Sequence, residues 1–136
     1  MNSVLKNILG VIAGVVIGGM VNMGIVTISG SIIPPPEGVD MTTVEGIKAA
    51  ADVLEAKHYL MPFLAHALGT LIGAMIAALI AATRKFTMAM IIGVFFLIGG
   101  ISAAFMIPAP TWFVILDLGM AYIPMAWLGH KLVSKK

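Results

Sequence analysis

Two side chains carry the chemistry that this sequence could perform. Asp117 is the only acid inside any of four long apolar runs, and His66 is the only histidine well inside one. An aspartate at the centre of a membrane-crossing helix costs about 2.5 to 3.5 kcal/mol on insertion scales, so such a residue is usually paired or functional. Histidine changes charge between about pH 5 and 8; a nearby carboxylate stabilises the imidazolium and burial opposes it. A His66–Asp117 pair is therefore either a titratable site or a buried polar clasp that fixes helix register. Asn22, near the middle of the first run, needs protein or water for its amide, and Thr70 lies one turn beyond His66. These four residues form the candidate pathway for a small solute, an ion or a proton.

Other chemistries lack their residues. Without cysteine there is no disulfide, thiol nucleophile, thiolate zinc site or iron–sulfur cluster. His58 and His130 fall at opposite ends of the apolar runs and cannot join His66 around a metal, and no HExxH or EF-hand pattern occurs. The 11 methionines, among them Met20, Met23, Met88 and Met90, are soft enough for Cu(I) but scattered, which suits flexible core filling. No GxSxG, GxGxxG or GxxxxGK[ST] motif is present, and Ser29, Ser31 and Ser102 have no histidine or aspartate at a recognisable spacing. Neither enzyme activity nor a cofactor is expected. The net charge of +2 rests on 8 basic residues too few and too scattered for a nucleic-acid partner.

The elements that position these residues follow from composition. The chain has 136 residues, 60% hydrophobic and 10% charged, against about 25% charged in a soluble domain. A helix rising about 1.5 Å per residue needs about 20 apolar residues to cross a bilayer core. Four segments qualify, at about 7–31, 59–83, 86–107 and 112–129, and nothing between them is long enough for a soluble domain. The apolar stretch from Ile8 to Ile33 is too long for a secretory signal and is read as a retained span. The short connections at Arg84–Lys85 and Pro108–Thr111 predict an all-α membrane protein: a single domain of four helices in an up-down bundle.

Lys6, Arg84, Lys85, Lys131, Lys135 and Lys136 fall on one side of that bundle, leaving Lys48 and Lys57 on the other. The positive-inside rule then places both termini in the cytoplasm, with the plasma (inner) membrane as the expected location. The outer loop, 32–58, opens with Pro34, Pro35 and Pro36, which stop the first helix. An amphipathic helix is expected over about 43–57, with Thr42 and Glu45 at capping-box spacing. An interfacial spacer is the commoner role for such a helix, and a lid over the bundle is the functional alternative.

Depth and face complete the expectation. Asp117 lies about five residues inside Trp112 and His66 about seven inside Tyr59, which puts them at similar depths. In an up-down bundle the second and fourth helices are diagonal, so both residues can point into one central space. Gly10, Gly14 and Gly18 in the first span, and Gly69 and Gly73 with Ala65 and Ala77 in the second, form small-residue stripes for close helix packing within the chain or between copies. Pro62 and Pro124 predict bends. The resulting expectation is a small transporter or channel-like protein, homo-oligomeric, with the bilayer as its principal partner. The alternative is an accessory, scaffold or lipid-binding membrane protein in which the same polar residues are structural.

Overall fold

The computed structural model describes residues 1–134; Lys135 and Lys136, counted above on the cytoplasmic side, lie outside the described residues. Every regular element is helical. Helix α1 spans Ser3–Ile32, α2 Val44–Ala50, α3 Leu60–Ile80, α4 Lys85–Met106, α5 Thr111–Met120 and α6 Ile123–Val133. A 3-10 turn at Ala56–Tyr59 leads into α3. Helix α1, the 3-10 turn with α3, α4, and α5 with α6 make four helical stretches long and apolar enough to cross a membrane.

Two local expectations are corrected, and the bend expected near Pro124 takes the form of a break. Pro62 falls in the first turn of α3, where a missing amide donor costs nothing, so it starts the helix instead of bending it. The fourth stretch is broken at Ala121–Tyr122, and Pro124 occupies the first turn of the restarted α6. The loop helix ends at Ala50 instead of about residue 57, and its cap is Thr43, whose hydroxyl accepts from the Gly46 amide at 2.9 Å. Thr42 is engaged elsewhere: its hydroxyl and its amide both donate to Asp40, which holds that carboxyl below the usual aspartate range.

The diagonal arrangement also gives way. Helix α3 is central and packs directly against α1, α4 and α6. Its buried residues include Ala65, Ala67, Gly69, Gly73, Ala74 and Ala77, so it is small on several sides and three neighbours can approach. Helix α1, by contrast, buries only Gly10, Gly14 and Gly18. A Cβ built at Gly14 would lie 2.6 Å from the Gly73 carbonyl oxygen, and one at Gly18 would lie 2.6 Å from that of Gly69. The approach is reciprocal: a Cβ built at Gly73 or Gly69 would lie 2.7 or 2.8 Å from the carbonyl oxygen of Gly14 or Gly18. Both stripes are thus consumed within one chain in antiparallel register, and a second copy would have to dock elsewhere.

The ends are fixed by polar and aromatic contacts. At the turn between α3 and α4, Arg84 takes a left-handed conformation (φ 47°), and Asn7 Oδ1 accepts from the amides of Ala82 and Thr83 at 3.0 and 3.1 Å. This ties the start of α1 to the turn. At the opposite, loop end, the Tyr59 ring packs against Phe113 at 5.0 Å and Trp112 at 5.9 Å. That contact sets α3 and α5 side by side in the register that carries His66 to the level of Asp117.

Candidate functional site

The site is built on α3 and on the break between α5 and α6. His66 Nδ1 lies 2.7 Å from Asp117 Oδ1. Tyr122 Oη donates to the other carboxylate oxygen, Asp117 Oδ2, at 3.1 Å. In an unbroken helix residues five apart differ by about 140° around the axis and cannot share a face. The break at Ala121–Tyr122 turns the phenol back onto Asp117. The Tyr122 ring also stacks on His66 with centroids 5.8 Å apart. Asp117 is 5% exposed, so a carboxylate there is held by two partners in place of water. An ionised Asp117 only accepts hydrogen bonds, which assigns the proton to His66 Nδ1 and leaves the lone pair on Nε2.

A cavity of about 210 Å³ lies against this cluster, lined by Asn22 from α1, by His66, Gly69 and Thr70 from α3, by Phe96, Gly99, Gly100 and Ala103 from α4, and by Tyr122. Three of the four pathway residues expected from sequence, Asn22, His66 and Thr70, therefore share one space. Asp117 does not line it and stands behind His66. The Thr70 hydroxyl donates to the His66 carbonyl at 2.8 Å, one turn back along the helix. Asn22 Oδ1 is buried without a hydrogen-bond partner. Among the described residues no group of three or more histidine, cysteine, aspartate or glutamate side chains converges.

Tyr122 and the Gly99–Gly100 pair are the members that sequence reasoning passed over. Tyr122 reads equally well as an interfacial anchor, and its link to Asp117 depends on a helix break that Pro124 alone does not locate. Gly100 makes room for it: a Cβ at that position would lie 2.5 Å from Tyr122 Oη, whereas one at Gly99 would have nothing within 4 Å. Gly100→Ala should therefore displace the phenol from Asp117 and destabilise the protein by about 1–3 kcal/mol, the usual range for overpacking. Gly99→Ala should cost nothing measurable. Thermal unfolding of the two variants side by side checks this, and equal stabilities would refute the placement of Tyr122.

Fold and site together define an all-helical protein with four stretches apolar enough for a membrane and a cavity beside a His–Asp–Tyr cluster. No protein-family model, curated protein or solved structure matches the chain.

Proposed function

We propose that the chain is a membrane-embedded transporter or channel-like protein whose polar site, His66 with Asp117, Asn22 and Thr70, exchanges a proton. The observation that carries this reading is the cavity of about 210 Å³ lined in part by His66, whose Nδ1 lies against Asp117. A titratable group that is backed by a carboxylate and lines a cavity has the layout of a proton acceptor. The observation favouring the second reading is the 2.7 Å contact itself, with Asp117 nearly sealed: a closed clasp in an accessory or scaffold protein would look the same on that side. Proton flux into proteoliposomes containing the pure protein, recorded with an internal pH dye against an imposed pH gradient, tests the first reading. A proton-silent protein supports the second.

The same proposal places the four stretches in a plasma (inner) membrane with both termini cytoplasmic, on the distribution of Lys and Arg. Cysteine-scanning is simple in a cysteine-free chain. A cysteine at Asp40 should label from outside intact cells and one at Ser134 only after permeabilisation; the reverse pattern would overturn the orientation.

A further inference from the structure

The polar side chains of the lining hold more free acceptors than free donors. Asn22 Oδ1 is buried without a partner, the Thr70 hydroxyl donates to the His66 carbonyl, and with Asp117 ionised and Nδ1 protonated the Nε2 of His66 is an acceptor without a protein partner among the described residues. The Tyr122 hydroxyl is already spent on Asp117, so Asn22 Nδ2 is the one side-chain donor in the lining that has no protein partner among the described residues. With Asp117 ionised and His66 neutral the cluster holds one negative charge, and a proton on His66 cancels it. Phe96 and Tyr122 add aromatic rings, whose faces attract cations. The rest of the lining, Gly69, Gly99, Gly100 and Ala103, is apolar.

The opening adds a second constraint. Helices α1 and α4 meet at two levels, where the built Cβ of Gly14 lies 2.8 Å from Ile92 Cδ1 and that of Gly18 lies 3.1 Å from Phe96 Cε2. Beyond Phe96 toward the loop end they separate, and a Cβ at Gly99 finds open space. Helices α5 and α6 pack against α3 and α4, not across the gap between α1 and α4. The cavity is thus a trough walled by α1, α3 and α4, with Tyr122 from the α5–α6 break completing its lining.

We propose that this trough binds a small organic ammonium ion, an N–H-bearing cation on an apolar body, and that a proton on His66 competes with it. The acceptors take the N–H groups, the negative cluster and the rings take the charge, and the glycine–alanine wall takes the apolar body. A bare metal ion is a poorer match, because a space of about 210 Å³ with few oxygens cannot replace its hydration shell. The inference rests on the proton-linked reading of the same site and names its ligand class.

The test uses the full chain in lipid nanodiscs, with benzylammonium and benzyl alcohol as probes, binding measured by equilibrium dialysis and empty nanodiscs subtracted. Benzylammonium should bind saturably at about pH 8 and about tenfold more tightly than benzyl alcohol, given charge-assisted hydrogen bonds and cation–π attraction. Its affinity should fall by about tenfold at about pH 5.5, and that fall should be absent in His66→Gln. Gly99→Leu, which extends into open space, should keep the fold and abolish binding. No saturable binding at the higher pH, equal affinity for the two probes, or a folded Gly99→Leu that binds like the parent would overturn the proposal. Proton flux without benzylammonium binding defeats this inference and leaves the transport reading standing. Binding without flux does the opposite.

Discussion

Gly14→Leu is expected to destabilise the protein by about 3 kcal/mol or more, at or beyond the upper end of ordinary overpacking. The first atom of the new side chain would lie 2.6 Å from the Gly73 carbonyl oxygen and 2.8 Å from Ile92 Cδ1. The first obstacle is backbone, so relief requires moving α3, the helix on which α1, α4 and α6 all rest. In lipid no hydrophobic force holds α1 in place, and close van der Waals contact along the glycine stripe is what binds it. Gly19→Leu is the internal control: a Cβ there meets nothing within 4 Å, and its cost should stay within about 0.5 kcal/mol. Thermal unfolding in detergent, followed by circular dichroism, measures both. Because the stripe is used inside the chain, the detergent-corrected mass should be the same for parent and Gly19→Leu. A Gly14→Leu protein as stable as the parent would show that α1 and α3 do not meet at this stripe.

Asp117→Asn and His66→Gln should each abolish pH-dependent flux while leaving the protein folded. Asparagine keeps an oxygen for the Tyr122 hydroxyl, and glutamine keeps an amide at the level of Asp117, so the structural loss is on the order of one hydrogen bond, about 1 kcal/mol. The clasp reading predicts a different pair of results. Removing one partner from a buried ion pair costs about 3 to 5 kcal/mol, so each mutant would be severely destabilised and the parent would carry no protons. Reconstituting all three proteins and recording flux and melting temperature together separates the two readings. A silent parent with two unstable mutants would end the transport proposal, whereas a conducting parent with two stable, silent mutants would end the clasp.

Much of the architecture was legible because apolar run length is a one-dimensional property. The four stretches, the separating prolines at Pro34–Pro36 and the tight turn at Arg84–Lys85 are local features, and the structure differs from the sequence reading mainly at the edges. Of the site, the depth argument from Tyr59 and Trp112 was enough to bring His66 to Asp117, since those aromatic residues do pack together. The cap of the loop helix was misjudged because Asp40 captures the Thr42 amide and leaves Thr43 to cap, a competition between neighbouring side chains that spacing cannot rank.

What the sequence alone determined is the set of residues costly to leave unpaired in an apolar setting: Asp117, His66, Asn22, whose Oδ1 does stay without a protein partner, and the small-residue stripes that must meet something. Their identity and depth follow from composition and helical rise. What only the tertiary structure decided is which partner each one takes. The stripe of α1 could have met a second copy as readily as α3, and the registers of Gly10, Gly14 and Gly18 against Ala77, Gly73 and Gly69 settle it. Tyr122 reaches Asp117 only because the fourth stretch breaks between them, and it fits only because Gly100 lies opposite. Such contacts join elements distant in sequence through backbone geometry of a fraction of an ångström. Helical periodicity fixes the face a residue occupies on its own helix but carries no information about what stands across from it.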